Sequence, residues 1–162
     1  MRKSRNIQSE KKGVHATTID ASGLILGRLA SHVAKRILLG EEIVVVNADK
    51  LVITGSKQNI TEEFKARLGT KTWGSQKKAP KHARRPDTYV RRVVRGMLPW
   101  KKPRGKRAYR RLKIYIGVPE SLGEVSTQTL PDARKNVRPF MTVGELLEVF
   151  GWENPLDEAN VG

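Results

Sequence analysis

The first third of the chain combines apolar patterns of two different periods. Residues 15–20 (HATTID) and 43–46 (IVVV) are short and rich in β-branched side chains, which is typical of strands, and IVVV is apolar on both faces. Between them, residues 26–38 place apolar side chains three and four positions apart, which predicts an amphipathic helix. We expect Ser22 to be its N-cap and Gly40 its stop. A helix between two such strands predicts a parallel pair joined by a crossover.

Further elements follow at shorter intervals. Residues 51–53 predict a short strand or an extended turn, and residues 57–68 predict a second helix. Residues 112–116 alternate and predict a strand that ends at Gly117. Residues 120–141 show little periodicity and are expected to be mostly irregular. A short helix follows from residue 142, because TVGE is a capping box, and Gly151 ends it.

A third helix is predicted from Pro86, with an apolar stripe on one side and arginines on the other. Pro99 ends it, because proline breaks the helical hydrogen-bond pattern. The segments on either side, 70–85 and 101–107, contain glycine and proline among many basic residues and are predicted to be loops. The stripe consists of Tyr89, Val90, Val93, Val94 and Met97, and the arginines off the stripe are Arg91, Arg92 and Arg95.

Net charge changes this picture, because it is concentrated in one segment. The chain carries a formal charge of +16. Residues 71–113, the basic block, contain 17 Lys or Arg and one acid, and the rest of the chain is balanced. Residues 120–162 are acidic, with 8 acids and 3 bases. A concentrated positive charge indicates a polyanionic partner, whereas a dispersed one only favours solubility.

The composition also excludes some classes of protein. The chain has no cysteine, which excludes disulfides and thiolate metal sites and is compatible with a reducing compartment. The basic N-terminus has no apolar stretch behind it, so we do not expect it to be a signal peptide. No apolar run approaches the ~20 residues of a membrane-spanning helix. We therefore expect no membrane partner.

A nucleotide-dependent enzyme is the main alternative. Gly23 and Gly27 lie in a strand–turn–helix, where doubly wound folds bind phosphate, and Asp49 follows the second strand. The spacing fits neither G-x-G-x-x-G nor the nucleotide-triphosphate loop, and the apolar residues of GLILG would crowd a phosphate. We expect instead that Gly23 turns the chain, that Gly27 lets the helix approach the sheet and that Asp49 is a turn residue.

Other catalytic chemistry has less support. The three histidines, His15, His32 and His82, are far apart and lack a metal-binding spacing, so no metal or other cofactor is expected. No serine lies in the context of a catalytic nucleophile. The sequence therefore predicts a protein that is not an enzyme and has no small-molecule substrate.

RNA is the polyanion that the pattern favours. The chain has no helix-turn-helix, zinc-finger or basic-zipper signature, which argues against DNA. No apolar anchor lies beside the charge, which argues against a membrane surface. Trp73, Trp100 and Tyr109 lie among the basic residues, where they either stack on unpaired bases or pack within the protein. A nucleic-acid chaperone that joins no stable particle remains a second alternative.

Several motifs together resemble one family. IDASGLILGRLASHVAKRILLGE, VVVNAD, VRRVVRGMLP and RLKIYIG occur in order between Ile19 and Gly117. They closely resemble the universal large-subunit ribosomal protein family usually numbered thirteen, and VRGMLP is the most specific of them. The continuation PWKKPRGKRAYRRLKIYIGVP resembles the archaeal and eukaryotic type. The bacterial type has a His-Pro-His element where this chain has Val118-Pro119-Glu120.

The resemblance implies a fold and a division of the chain. It implies an α/β protein, namely a three-layer α/β/α fold with a central, mainly parallel sheet of about four strands, basic RNA-binding loops and a C-terminal extension. Outside the resemblance, residues 1–13 have no periodicity and few apolar side chains, and we expect them to be a flexible basic tail. Residues 14–119 are the core domain, which includes the basic block, and residues 120–162 are an extension with a short helix.

The resemblance also implies a function. Family members are structural constituents of the large subunit that bind its ribosomal RNA directly and support assembly and translation, and they are not enzymes. It implies a cytoplasmic location in the ribosome, with large-subunit rRNA and neighbouring large-subunit proteins as partners. The implied RNA-binding residues are Lys77, Lys78, Lys81, His82, Arg84, Arg85, Arg91, Arg92, Arg95, Trp100, Lys101, Lys102, Arg104, Lys106, Arg107, Arg110 and Arg111.

Overall fold

A parallel sheet forms the centre of the protein. The computed structural model describes residues 16–72, 74, 77, 79–122, 127–134 and 139–155, and the predicted tail at 1–13 lies outside these ranges. The strands of the sheet, within these ranges, are β1 Thr17–Asp20, β2 Ile43–Val46, β4 Leu112–Ile114 and β5 Thr127–Gln128. Each strand is parallel to its neighbours, and the order across the sheet is β4-β2-β1-β5. A separate antiparallel pair joins β3 Val52–Thr54 to β6 Phe140–Thr142.

The described part of the chain contains five helices, which pack against the two sheets and against one another. They are α1 Leu26–Leu39, α2 Lys57–Gly69, α3 Pro86–Gly96, α4 Pro103–Arg110 and α5 Val143–Glu148. Helix α1 connects the neighbouring parallel strands β1 and β2, as predicted, and packs against α3 and α4. All four residues of β2 are buried, which explains why it lacks polar positions. The predicted α/β class with a mainly parallel sheet is confirmed.

Two predictions about the start of α1 were wrong. Ile25 is the N-cap residue, and Ser22 instead donates hydrogen bonds from N and Oγ to Asp20 Oδ1 at 3.0 and 2.8 Å. Gly27 is exposed, and a Cβ added to it would meet no atom within 4 Å, so it mediates no close approach to the sheet. The predicted stop at Gly40 is confirmed, because this glycine has φ +113° and its N–H bonds to the carbonyl of Ile37.

The turns after β1 and β2 are tied to each other through one carboxylate. Asn47, which has φ +56°, donates from Nδ2 to Asp20 Oδ1 at 2.8 Å, the same oxygen that accepts from Ser22. Burial alone would raise the pKa of Asp20. The hydrogen bonds from Asn47 and Ser22, together with the nearby charge of Lys50, outweigh burial and hold that pKa below its ordinary value. Oδ1 of this carboxylate therefore joins the two turns through its hydrogen bonds to Ser22 and Asn47.

The segment after residue 120 contributes to the core. Strand β5 lies at one edge of the main sheet, and β6 pairs with β3. Met141, Leu146, Leu147 and Trp152 are buried. The capping box at Thr142 is confirmed, since Glu145 N donates to Thr142 Oγ1 at 3.1 Å. The expectation of mostly irregular structure missed β5 and β6, because strands of two and three residues are too short to show a period.

Candidate nucleic-acid interface

Helix α3 attaches the basic block to the core. It begins at Pro86 and buries Val90 and Val94, while Arg92 and Arg95 are exposed. Proline suits the first helical position, because the N–H that it lacks has no partner there in any helix. Met97 departs from the predicted apolar stripe. It follows the last residue of the helix and is 43% exposed, whereas the next residue, Leu98, is buried in the core.

The segment predicted as a basic loop after residue 100 is largely a helix. Helix α4 runs from Pro103 to Arg110 and buries only Gly105 and Ala108. Its exposed side is almost entirely basic. The prediction of a loop was wrong because the buried side of α4 has no bulky apolar side chain, so the sequence shows no apolar stripe. The exposed basic residues of the helix are Arg104, Lys106, Arg107 and Arg110.

A close backbone contact sets the position of α4. A Cβ added to Gly105 would lie 2.3 Å from the carbonyl oxygen of Pro99 and 2.6 Å from its carbonyl carbon. Helix α4 therefore approaches the turn that follows α3 as closely as a backbone without a side chain permits. The glycine in PRGK thus places the basic side of α4 at a defined position relative to α3.

Aromatic rings of the basic block stack against arginines of α3. The guanidinium of Arg95 lies over the ring of Trp100 at 4.5 Å, and that of Arg91 lies over Tyr109 at 4.7 Å. The two rings contact each other edge to face, with centroids 5.1 Å apart. Among the described residues, Arg91 Nε is buried without a hydrogen-bond partner. This Arg–aromatic stack (Arg91, Arg95, Trp100 and Tyr109) joins α3 to α4 and favours packing over base stacking for Trp100.

We expect Trp100→Leu to lower the free energy of unfolding by about 1–2 kcal/mol, because the substitution removes one cation–π contact and one aromatic pair. Urea denaturation measures the change. Tyr115→Leu is the matched control, since Tyr115 is an exposed aromatic residue outside the stack. Unchanged stability together with weaker RNA binding would contradict this prediction and would favour base stacking by Trp100.

Three further contacts hold the basic side chains in place. Arg111 Nη1 donates to the carbonyl of Ile37, near the C-terminus of α1, at 3.3 Å. Arg92 Nη1 donates to the carbonyl of Lys81 and so ties the preceding loop to α3. At the start of α3, Arg85 Nε lies 3.4 Å from Asp87 Oδ1. Asp87 is the one acid of the basic block, so most of the positive charge of the block is not compensated from within it.

The structure places most of the predicted binding residues at the surface. Lys78 and Trp73 lie outside the described residues. Half-buried positions are occupied by His82, Arg91, Trp100 and Arg111. The exposed ones are Lys77, Lys81, Arg84, Arg85, Arg92, Arg95, Lys101, Lys102, Arg104, Lys106, Arg107 and Arg110, which we call the basic surface.

One arginine near this surface was missed by sequence reasoning. Arg67 of α2 lines a cavity together with His82 and Arg92. It is preceded by Glu63, four residues earlier, and the two form an ion pair. In the sequence this pair is typical of an exposed helix side. Only the packing of α2 beside α3 brings Arg67 close to the basic block.

The glycine-containing turn after β1 offers no phosphate cradle. Gly23 N donates to the carbonyl of Lys50 at 3.2 Å, Leu24 N to Ala21 at 3.1 Å and Ile25 N to Ala133 at 2.9 Å. Phosphate loops need such N–H groups free to point at the ligand. The predicted role of Gly23 as a turn residue is consistent with its φ of +71°.

Asp49 lies in a short 3-10 turn, Ala48–Lys50, and is buried. Its position within this turn agrees with the prediction of a turn residue. Within the described part of the chain, no group of three or more His, Asp or Glu side chains is arranged to hold a metal ion. No helix in the same part is long and apolar enough to cross a membrane.

Comparison with known proteins identifies relatives that match most of the chain. Residues 15–121 match the family model described as Ribosomal protein L13. The chain is 52% identical over 140 residues to the large ribosomal subunit protein uL13 of Archaeoglobus fulgidus, covering 84% of this chain and 88% of that protein. It is 46% identical over 144 residues to the protein of the same name from Methanopyrus kandleri, covering 86% and 89% of the two chains.

Proposed function

The chain belongs to the ribosomal protein L13 family, and from this premise we propose that it binds large-subunit rRNA directly through the basic surface. It is a structural protein of the large ribosomal subunit and not an enzyme. We further propose that its binding to rRNA supports assembly of the subunit and that neighbouring ribosomal proteins contact it there.

The observation that carries the proposal is the location of the charge. The whole formal excess of +16 lies in residues 71–113, and twelve of these basic side chains form the basic surface. Neutralising phosphates releases condensed counterions, and this release supplies most of the sequence-independent affinity for nucleic acid. Arginine predominates from Arg84 onward, and its planar guanidinium can contact a phosphate through two N–H groups.

The packing of α3 and α4 supports the proposal in a second way. Gly105 and the Arg–aromatic stack pack the two basic helices against each other in one defined arrangement. Groups that are already in place lose less conformational entropy on binding. Such a rigid basic surface suits a folded RNA of defined shape better than a flexible basic tail would.

We expect the affinity for large-subunit rRNA to depend steeply on salt. If ~6–10 phosphates are contacted, the affinity falls by about 10³–10⁵ between 50 and 200 mM salt on a duplex, and less steeply on single strands. Filter binding of the purified chain to large-subunit rRNA across this range measures the slope. An affinity that does not change with salt would contradict direct phosphate binding by the basic surface.

Sedimentation distinguishes a resident ribosomal protein from a transient nucleic-acid chaperone. The tagged chain is followed in a sucrose gradient of cell extract after a high-salt wash, with and without ribonuclease. We expect it to migrate with the large subunit after the wash and to leave that position after ribonuclease treatment. A chain that stays at the top of the gradient in both cases would overturn the proposal and favour the chaperone.

A further inference from the structure

A cavity lies between α2, α3 and the loop that precedes α3, next to the basic surface. It has a volume of about 270 Å³. Phe64 and Arg67 of α2 line one side, Tyr89 and Arg92 of α3 line another, and His82 lines the loop side. This volume is just below the range of about 300–1,000 Å³ that is usual for drug-sized ligands, so it suits a single small planar group.

The chemistry of the cavity combines aromatic rings with positive charge. Phe64 meets Tyr89 edge to face, with ring centroids 5.8 Å apart, and Phe64 is itself held by Phe150 at 4.9 Å. No carboxylate is among its described lining residues. A wall of rigid aromatic rings flanked by guanidinium groups is how proteins bind unpaired bases with their phosphates.

One polar atom beside this cavity lacks a partner. Nε2 of His82 is buried and makes no hydrogen bond within the described part of the chain. Buried ring nitrogens in proteins nearly always have a hydrogen-bond partner, so one without a partner calls for an explanation. A ligand in the cavity that offers a donor or acceptor to His82 would supply that partner.

Arg67 and Arg92 are positioned to contact the phosphates of such a ligand. Arg92 is tethered to the carbonyl of Lys81, and Arg67 is tethered to Glu63, so both side chains are restrained beside the cavity. Both are also partly exposed and therefore accessible to phosphates that flank a bound base. Because Arg92 belongs to the basic surface and also lines the cavity, the cavity lies directly beside that surface.

We propose that this cavity, lined by Phe64, Arg67, His82, Tyr89 and Arg92, binds one unstacked nucleobase of the rRNA. The base lies against the Tyr89 ring, and Arg67 and Arg92 contact the phosphates on either side of it. This inference rests on the proposed function, because it assigns an additional contact to the same RNA. It extends the interface from the basic block to α2, where the sequence gives no signal of RNA binding.

Nuclear magnetic resonance on the full chain tests the cavity with small probes. The side-chain signals of His82 and Tyr89 are followed while adenosine 5′-monophosphate, uridine 5′-monophosphate or ribose 5-phosphate is added. We expect the two nucleotides to shift both signals and ribose 5-phosphate to leave the Tyr89 ring signals in place. Equal shifts with ribose 5-phosphate would overturn base binding in favour of a phosphate site, and no shifts with any probe would overturn the proposal altogether.

Substitution of Tyr89 tests the cavity in the complex with rRNA. We expect Tyr89→Leu to weaken binding of large-subunit rRNA by about 5- to 100-fold, in line with the loss of one stacked base. Tyr115→Leu is the matched control, because Tyr115 is an exposed tyrosine that does not line the cavity. Equal affinity of the two variants would overturn the proposal.

A second pair of variants tests the proposal independently, in case Tyr89→Leu does not fold. Arg67→Ala is compared with Lys65→Ala, since both remove one positive charge from an exposed position on α2 and only Arg67 lines the cavity. We expect only Arg67→Ala to weaken binding. If neither pair differs while loss of Arg104, Lys106 and Arg107 weakens binding, the cavity proposal fails and the proposed function stands. If the variant that lacks Arg104, Lys106 and Arg107 also binds rRNA with unchanged affinity, the basic surface is not the RNA interface.

Discussion

Replacing Gly105 with alanine is expected to lower both the stability of the protein and its affinity for rRNA. The new Cβ would lie 2.3 Å from the carbonyl oxygen of Pro99, which is far inside van der Waals contact. Pro99 contributes backbone atoms here, so no side-chain rotation can relieve the clash. Helix α4 must therefore move away from the turn after α3, and the Arg–aromatic stack separates with it.

The expected loss of stability is about 1–3 kcal/mol, the usual cost of overpacking, or somewhat more because the backbone itself must shift. Urea denaturation measures this loss, and filter binding measures the affinity. We expect the affinity to fall further than it does on removal of any single arginine of α4, because all four basic side chains of that helix are displaced together.

Gly27→Ala is the matched control for Gly105→Ala. Both glycines lie inside helices, but a Cβ added to Gly27 would meet no atom within 4 Å. Alanine favours a helix over glycine by about 0.5–1 kcal/mol, so Gly27→Ala is expected to be neutral or stabilising. If Gly105→Ala behaves in the same way as Gly27→Ala, the close approach of α4 to Pro99 has no energetic importance.

Replacing Arg104, Lys106 and Arg107 together with alanine is expected to weaken rRNA binding by about 100-fold while the fold remains intact. This magnitude assumes about 1 kcal/mol for each lost phosphate contact. The slope of log affinity against log salt should fall by about 0.7–0.9 for each contact removed. All three side chains are exposed, and alanine favours a helix, so circular dichroism should not change.

A charge-matched control separates local contact from net charge. Replacing Lys35, Lys57 and Lys65 with alanine also removes three positive charges from exposed helix positions, but all three lie outside the basic block. We expect this variant to bind rRNA nearly as well as the unmodified chain. Equal losses in the two triple variants would mean that total charge, and not the surface of α4, determines the affinity. Loss of the circular dichroism signal in the first variant would mean that these residues hold the fold.

The sequence by itself determined the elements whose signals are local. The end of α1 and the bounds of α2 and β2 follow closely from apolar spacing and from stops such as Gly40, because each pattern lies within one continuous segment. The capping box of α5 is likewise a contact between neighbours in the chain. The sequence also located the charge and, through motifs such as VRGMLP, pointed to the family that comparison confirmed.

Tertiary structure decided the features that depend on residues distant in the sequence or on backbone shape. Helix α4 is stabilised against a turn by Gly105 and Ala108, whose small size leaves no apolar pattern to recognise. Stacking of Arg95 on Trp100 depends on how the chain turns at Pro99. The cavity unites Arg67 with His82 and Arg92 only because α2 packs beside α3. Local patterns specify which helices form, but only their packing determines which side chains meet.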